Sequence, residues 1–395
     1  MFIESPRYTE RFGSIRINHV QRVVALDSGV KADLPSDGAI GVIKIDEETI
    51  SRFENEMAIV IPVKDEKLKL FEGVVSGIPH DCLVIVVSNS SIGKIDRFKM
   101  EGDALHQLCR FTHREALIVH QKDPAIAEAA VEAGYSELLG EDGLVREGKS
   151  EAMIIGMLMA KVAEKEYVGF IDADNYFPGA VFEYVRNYAA GFSLAQSPYS
   201  MVRILWHYKP KISGGMYFRK WGRVSEITNR HLNALISAKT GFETDVVKTG
   251  NAGEHAMSMS LAQVLPYASG YAVEPQELVS IFENFSGILP TRERKIMEEG
   301  IDIFQIETRN PHLHEEKGAE HIQEMLLLAL GSIYCSPLAD NEAKQLILAE
   351  LIHQGALKEG EEPPPIHVNP ALRNVEISKF IGAIRDTFDK YHVLH

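Results

Sequence analysis

Short apolar segments alternate with amphipathic segments between residues 58 and 180, and this order constrains the fold more than any other feature of the chain. The apolar segments are rich in β-branched residues, which is typical of strands buried on both faces. They predict strands at 58–63, 83–87, 116–120 and 167–170. The segments between them have helical periodicity and predict helices at 67–78, 97–110, 125–134 and 148–165. Strands that alternate with helices predict βαβ units and an α/β fold with a mostly parallel sheet.

Two aspartates one residue apart, Asp172 and Asp174, follow the last of these predicted strands. Ligands bind at the carboxyl ends of strands in open α/β sheets, and paired carboxylates there can hold a hard divalent cation on substrate phosphates. The alternative is a turn in which these side chains only satisfy backbone amides. Polar clusters at 64–66 and 88–91 also follow predicted strands. Because such clusters meet at one edge of a parallel sheet, they favour the ligand site.

Composition and charge exclude several classes of protein. The chain has 395 residues, of which 45% are hydrophobic and 25% charged, as in soluble globular proteins. Its formal net charge of −15 argues against a nucleic-acid partner, because phosphate backbones need a basic surface. No apolar run approaches the roughly 20 residues that span a bilayer, so we expect no membrane partner. The three cysteines are too widely spaced for a disulfide framework, which predicts a cytoplasmic protein.

Two histidines at spacing two, His312 and His314, form a second unusual cluster. One of them could supply a nitrogen ligand to a metal ion already held by carboxylates. The alternative is a pair of loop histidines in ordinary hydrogen bonds, since no zinc-site spacing accompanies them. Pro311 precedes the pair and restricts the backbone there.

Two glycine-rich segments could approach an anionic ligand. Residues 140–149 carry Arg146 and Lys149 just before a predicted helix, where cationic side chains and a helix N-terminus can meet an anion. Residues 249–256 surround Asn251 and Glu254 with small side chains, as in an active-site loop. Each segment also fits an ordinary surface loop or a capped helix start, and neither has a Walker A spacing.

The chain resembles the mannosyl-3-phosphoglycerate synthases, a family of retaining glycosyltransferases. The resemblance runs over nearly the whole chain and is carried by residues 8–13, 76–80, 120–124, 140–149, 169–180, 241–244, 251–255, 267–278 and 307–314. It implies a GT-A-like, Rossmann-type sheet, mostly parallel but mixed, with flanking helices and a helical C-terminal portion. It also implies transfer of mannose from GDP-mannose to the 2-hydroxyl of 3-phospho-D-glycerate, with retention.

The resemblance also implies roles for particular carboxylates and histidines. Asp172 and Asp174 become a D-x-D-like element that holds a divalent metal on the GDP diphosphate, with Mg²⁺ expected first and Mn²⁺, Co²⁺ or Zn²⁺ as alternatives. Asp174 and His314 are the expected direct ligands, and Asp172 and His312 are the alternatives. Asp172, Asp174 and Glu254 are the expected catalytic carboxylates.

The same resemblance implies where the substrates bind. The expected GDP-mannose pocket is formed by Pro62, Val63, Lys64, Asp65, Glu66, Ser88, Asn89, Gln121, Lys122, Asp172 and Ala173. The expected 3-phospho-D-glycerate site is formed by Arg146, Lys149, Thr249 and Asn251. Residues 1–255 would be the domain that binds the GDP-sugar, and residues 256–395 the acceptor-side and helical C-terminal region.

Other interpretations stay open on the sequence. One is a different sugar-nucleotide-dependent transferase, for example one like glucosyl-3-phosphoglycerate synthase, and another is a nucleotidyltransferase. A protein that binds nucleotide without catalysis is a third. The C-terminal helices could cover the interface of a homodimer or pack on the sheet.

Overall fold

The computed structural model describes residues 1–29, 41–175, 177–207, 209–213, 216–220, 223–313 and 318–388. In chain order its strands are β1 (Phe2–Glu4), β2 (Thr9–Phe12), β3 (Ile15–Asn18), β4 (Gln21–Ala25), β5 (Val42–Lys44), β6 (Met57–Val63), β7 (Leu83–Ser88), β8 (Ala116–His120), β9 (Tyr167–Phe170), β10 (Ser200–Leu205), β11 (Lys209–Ser213), β12 (Met216–Lys220), β13 (His255–Ser258), β14 (Tyr267–Ala268), β15 (Ile301–Glu307) and β16 (Val368–Asn369).

The helices lie between and after these strands. In chain order they are α1 (Glu47–Asn55), α2 (Leu68–Gly77), α3 (Arg97–Thr112), α4 (Pro124–Glu132), α5 (Lys149–Val162), α6 (Pro178–Leu194), α7 (Arg223–Thr240), α8 (Met259–Ala262), α9 (Val273–Phe285), α10 (Arg294–Glu299), α11 (Ala319–Tyr334), α12 (Asn341–His353) and α13 (Ile377–Phe388). Among the described residues, no helix is long and apolar enough to cross a membrane.

One mixed sheet organises the chain. Its main strand order is β5-β1-β4-β15-β10-β13-β9-β6-β7-β8, and β3, which pairs with β2, also pairs with β15. The strands β9, β6, β7 and β8 run parallel to one another, as the alternation of strands and helices predicts. β13 lies antiparallel between β9 and β10, and β1 lies antiparallel between β4 and β5, so the sheet is mixed.

The two faces of the sheet are covered by different helices. Alternate residues of β6 belong to two hydrophobic cores on opposite faces of the sheet. Ile59 and Ile61 belong to the core formed with α1, α2, α3 and α6. Ala58 and Val60 belong to the core formed with α4, α5 and the later helices α9, α11 and α12. This period of two is what a strand buried on both faces requires. The predicted α/β fold, with a mostly parallel mixed sheet, flanking helices and a helical C-terminal portion, is therefore confirmed.

The last third of the chain contributes strands to the same sheet. β13 begins at residue 255, where the predicted boundary between the regions 1–255 and 256–395 falls. β15 also belongs to the later region, yet it lies between β4 and β10. The division into a GDP-sugar-binding domain and an acceptor-side region stays a prediction. The sequence Ser213-Gly214-Gly215 predicts a turn, and its two glycines lie outside the described residues.

Glu54 of α1 is a buried carboxylate away from the strand ends. It is 3% exposed, and its Oε1 lies 3.9 Å from Nη1 of Arg186. Burial raises the pKa of Glu54 to about 7, although Arg186 opposes the shift. Because the pKa is higher in the folded chain than in the unfolded chain, deprotonation costs stability as the pH rises from about 4.5 to about 7.

We expect Glu54→Gln to raise the free energy of unfolding at pH 8 by about 3 kcal/mol, since the pKa of Glu54 rises from 4.5 to about 7 and each pKa unit corresponds to about 1.4 kcal/mol. Near pH 4 the variant and the parent chain should be equally stable. Denaturant unfolding at pH 4, 6 and 8 measures this difference. Glu48→Gln changes an exposed carboxylate of the same helix and is the control. A constant difference between the Glu54 variant and the parent at all three pH values would contradict the prediction.

Candidate active site

The polar clusters that follow the parallel strands meet at one edge of the sheet. The backbone N–H of Asn89, after β7, donates to the carbonyl of Val63 at the end of β6, at 2.7 Å. The N–H of Gln121, after β8, donates to the carbonyl of Ser88, also at 2.7 Å. Asp172 follows β9, which is the neighbour of β6 on the other side. The expected convergence of these clusters is confirmed.

Lys149 joins two acidic side chains at this edge. It is the first residue of α5, and its Nζ lies 2.6 Å from Oδ1 of Asp172 and 2.8 Å from Oε1 of Glu274. Burial by itself lowers the pKa of Lys149, but Asp172 and Glu274 outweigh it and raise this pKa well above its usual value. Lys149 is therefore a fixed positive charge beside the aspartate pair.

Glu254 is a fully buried carboxyl group next to this ion pair. Its Oε1 accepts a hydrogen bond from Nδ2 of Asn175 at 2.9 Å, and its Oε2 has no hydrogen-bond partner among the described residues. Burial first, and then the charge of Asp172, raise the pKa of Glu254 to about 8, against the opposing effects of Asn175 and Lys149. Burial and the negative charge of Asp172 therefore favour the protonated form of this group.

Asp174 and Glu254 supply buried carboxylate oxygens at the same place. Asp174 is 7% exposed, and its charge also contributes to the raised pKa of Glu254. Asp172 and Asp174 are oxygen donors of the kind that hard divalent cations prefer, so their chemistry fits the predicted metal. No group of three or more His, Cys, Asp or Glu side chains that could hold a metal ion is present in the described part of the chain, which omits His314.

His312 lies in an aromatic setting. It is 4% exposed, its ring stacks on that of Trp206 with centroids 4.1 Å apart, and its Nδ1 lies 3.2 Å from the hydroxyl of Tyr184. These contacts hold the segment after β15 against α6. His314, the expected direct ligand, lies outside the described residues.

The buried carboxylate of Glu101 holds two serines beside the predicted nucleotide pocket. Both the Ser88 and the Ser90 hydroxyls donate to Glu101 of α3, each at 2.6 Å. Nε2 of His120 lies 3.0 Å from the Ser90 carbonyl. Because the Ser88 hydroxyl already donates to Glu101, Ser88 contributes mainly to the shape of the pocket.

Other residues that are predicted to bind GDP-mannose connect the strand ends with residues 140–149. Lys64 pairs with Glu147, and Nζ of Lys122 lies 3.2 Å from Oδ2 of Asp142. Asp65 has a positive φ of 53°, and its Oδ1 accepts hydrogen bonds from Ser91. The remaining predicted donor residues also lie at this edge: Pro62, Val63, Glu66, Asn89, Gln121 and Ala173. Of these, Val63 and Ala173 direct their side chains into the core.

The predicted acceptor residues lie on two loops that approach the ion pair. A Cβ atom at Gly253 would lie 2.7 Å from Oδ2 of Asp172 and 3.3 Å from Nζ of Lys149, so the 249–254 loop touches both side chains. On this loop, Oδ1 of Asn251 is buried and has no hydrogen-bond partner in the described structure, as an atom aimed at a ligand would be.

Thr249 and Arg146 have protein partners. The Thr249 hydroxyl donates to Oε1 of Gln305 at 2.9 Å. Arg146 is half-buried, and its Nε donates to the carbonyl of Glu137 at 3.4 Å. The carbonyl of Arg146 accepts a hydrogen bond from Nε2 of Gln121 at 2.7 Å. Gln121 thus ties the end of β8 to residues 140–149.

The structure also shows functional candidates that the sequence did not single out. Glu274 holds Lys149 across 125 residues of sequence, and Asn175 holds Glu254. Asn175 had a signal, since it directly follows the aspartate pair. Glu274 had none of its own, because its burial in the first turn of α9 comes from tertiary packing that no local pattern records.

Among solved structures, the chain matches glucosyl-3-phosphoglycerate synthase from Mycobacterium tuberculosis. Its complex with Mn²⁺, UDP and phosphoglyceric acid matches with a TM-score of 0.47 and 19% sequence identity, over 74% of this chain and 84% of that chain. A complex of the same protein with Mn²⁺, UDP-glucose and phosphoglyceric acid matches with a TM-score of 0.48 and 19% identity, over 82% of this chain and 94% of that chain.

Relatives of known name match over almost the entire chain. Mannosyl-3-phosphoglycerate synthase of Pyrococcus furiosus is 46% identical over 388 residues, which cover 98% of both chains. Mannosyl-3-phosphoglycerate synthase of Aeropyrum pernix is 38% identical over 394 residues, which cover 99% of both chains. The family model for mannosyl-3-phosphoglycerate synthase matches residues 5–384. With these matches and the carboxylate cluster at the sheet edge, the chain belongs to the mannosyl-3-phosphoglycerate synthase family.

Proposed function

We propose that this chain transfers mannose from GDP-mannose to the 2-hydroxyl of 3-phospho-D-glycerate, with retention, and releases GDP. The observation that carries the proposal is the cluster of Asp172, Asp174 and Glu254 with Lys149 at the carboxyl edge of the sheet. Such a cluster suits a reaction between two anionic substrates, because it offers oxygen ligands to a cation and a fixed positive charge. Membership of the family supports the identity of both substrates.

The divalent metal is assigned to Asp174 and Asp172, with Mg²⁺ as the first expectation and Mn²⁺, Co²⁺ or Zn²⁺ as alternatives. His314 is the histidine ligand that the family resemblance implies, and His312 is the alternative. When bound, the cation would neutralise negative charge that develops on the departing diphosphate.

The side chains of the chain itself would bind and orient the two substrates. Lys149, Arg146 and Asn251 would hold the carboxylate and phosphate of the acceptor, which a net-acidic protein can bind only through a local basic site. Glycosyl transfer passes through an oxocarbenium-like state. Glu254 would donate a hydrogen bond to mannose while protonated and stabilise positive charge on the sugar when ionised.

The cellular setting is part of the same proposal. The three cysteines, Cys82, Cys109 and Cys335, are free thiols in the structure, which supports a reducing cytoplasm. A homodimer stays a prediction, and the elution volume of the purified protein would test it.

Incubation with GDP-mannose, 3-phospho-D-glycerate and MgCl₂ tests the proposed reaction. We expect a product whose mass equals that of the acceptor plus one hexose, with the α-configuration of the donor retained in its NMR spectrum. Parallel incubations with UDP-glucose, GDP-glucose and acceptors without phosphate measure the specificity. Product from UDP-glucose alone would replace mannose transfer by glucose transfer. GDP binding that is unaffected by a chelator, with no product from any donor, would indicate a protein that only binds nucleotide.

A further inference from the structure

Three buried polar residues lie side by side across three neighbouring strands of the sheet. The strand register pairs His255 of β13 with Arg203 of β10, and Arg203 with Gln305 of β15. His255 and Arg203 are fully buried, and Gln305 is 1% exposed. Directly opposed residues of adjacent strands project to the same face of a sheet. We call these three residues the polar row.

Gln305 contacts the first part of the loop that leads to Glu254. Its Nε2 donates to the carbonyl of Val246 at 2.8 Å. Its Oε1 accepts the N–H of Lys248 at 2.7 Å and the hydroxyl of Thr249 at 2.9 Å. One side chain therefore fixes the backbone at 246 and 248 and the side chain at 249.

Arg203 and His255 contact the next part of the same loop. Nε of Arg203 donates to the carbonyl of Thr249 at 2.9 Å, and Nη2 donates to that of Gly250 at 3.2 Å. Nδ1 of His255 lies 3.0 Å from the carbonyl of Ala252. The polar row therefore meets backbone groups of residues 246–252 in the order in which the chain runs.

A buried carboxylate balances the charge of the row and joins it to the other side of the site. Glu277 of α9 lies 3.1 Å from Nη1 of Arg203 and 3.2 Å from Nε2 of His255. Nη2 of Arg203 also donates to the carbonyl of Glu274, whose side chain holds Lys149. The guanidinium group thus contacts both the 249–254 loop and the residue that holds the lysine.

We propose that the polar row positions the acceptor site, by holding Asn251 and Lys149 in place before the substrate arrives. Arg203, His255 and Gln305 are positioning residues, and they act through the loop rather than on the substrate. The physical basis is that a loop ordered in advance avoids an entropy cost on binding, and a displacement of about 1 Å can cost about 10²-fold in rate. This inference depends on the proposed function for the identity of the acceptor. The claim that the row orders the loop does not depend on it.

A contribution to the stability of the fold does not by itself explain a buried polar row of this kind. Buried ion pairs often stabilise a fold no better than apolar residues of the same volume, because both charges must leave water. A row that only supported the sheet would lower stability when changed, yet it would leave the affinity for the acceptor intact. A positioning role predicts a change in acceptor kinetics that exceeds any change in donor kinetics.

Kinetics of Arg203→Lys and Gln305→Leu test the proposal. Lysine keeps a positive charge for Glu277 but loses the planar fork that reaches several carbonyls. We expect the KM for 3-phospho-D-glycerate to rise at least about tenfold in both variants, while the KM for GDP-mannose stays within about twofold. Arg186→Lys is the matched control, since Arg186 is a buried arginine of α6 that pairs with Glu47 of α1. Its acceptor KM should not change.

Amide hydrogen exchange of residues 246–253 without substrate gives a second measurement. We expect exchange at least about tenfold faster in Gln305→Leu than in the parent chain, and no change there in Arg186→Lys. A folded Gln305→Leu with parental exchange in this loop and a parental acceptor KM would overturn the inference. If Arg203→Lys does not fold, Gln305→Leu decides. If the parent chain does not use 3-phospho-D-glycerate, the proposed function fails, and the exchange rates still decide whether the row orders the loop.

Discussion

Asp174→Ala should lower the transfer rate by about 10³-fold or more while the fold is kept, because the side chain is a carboxylate ligand proposed for the divalent metal. Asp174 is 7% exposed and follows β9 at the sheet edge, next to Glu254. Without it, the cation would lose a ligand and the diphosphate would leave with less neutralisation of its charge. Initial rates at saturating GDP-mannose and 3-phospho-D-glycerate, measured across a range of MgCl₂ concentrations, give the result.

The controls for Asp174→Ala separate catalysis from folding. Circular dichroism and thermal unfolding should show a folded variant. Asp103→Ala removes an exposed aspartate of α3 and should leave the rate unchanged within about twofold. Calorimetry should show that GDP binding by Asp174→Ala no longer responds to the metal. Near-normal turnover by this variant in the presence of metal would contradict the assignment of Asp174 as a metal ligand.

Lys149→Met should destabilise the fold by about 3–5 kcal/mol at pH 8, since it leaves Asp172 and Glu274 without their shared cation. It should also lower kcat/KM for 3-phospho-D-glycerate by at least about 10²-fold, because the acceptor loses a positive charge. Lys149 lowers the pKa of Glu254, so its removal should raise that pKa further. Because deprotonation of Glu254 then costs more in the folded variant, the variant should lose further stability relative to the parent as the pH rises above about 8.

Unfolding in denaturant at pH 7, 8 and 9, with acceptor kinetics at each pH, measures both effects. Lys161→Met is the matched control, because Lys161 is in the same helix and donates to a neutral partner, Oε1 of Gln263, at 2.7 Å. It should cost about 1 kcal/mol, with little dependence on pH. A Lys149→Met chain as stable as the control at pH 8 would contradict the ion-pair role.

Much of the fold could be predicted because local pattern and tertiary position agree in the first half of the chain. The segments predicted as strands at 58–63, 83–87 and 116–120 correspond to β6, β7 and β8 within one residue at each end. β15 and α9 were not predicted. Both are buried almost throughout, and buried polar residues such as Gln305 and Glu277 interrupt the apolar runs that would otherwise indicate a buried element.

The site could be predicted in part for the same reason. The rule that parallel strands end at one edge placed Asp172 and Asp174 beside the ends of β6 and β7. The choice between Asp172 and Asp174, and between His312 and His314, stays a prediction. What the sequence could not reveal is that Asp172 already pairs with Lys149, or that His312 stacks on Trp206.

The amino-acid order by itself determined the βαβ arrangement and the edge at which the polar strand ends meet, because short apolar strands and amphipathic helices are local patterns. Only the tertiary structure decided the chemistry at that edge. The pKa of Glu254 depends on its burial and on charges brought from β9 and α5, and the polar row joins β13, β10 and β15. Burial and long-range contacts set these properties, and no local pattern records them.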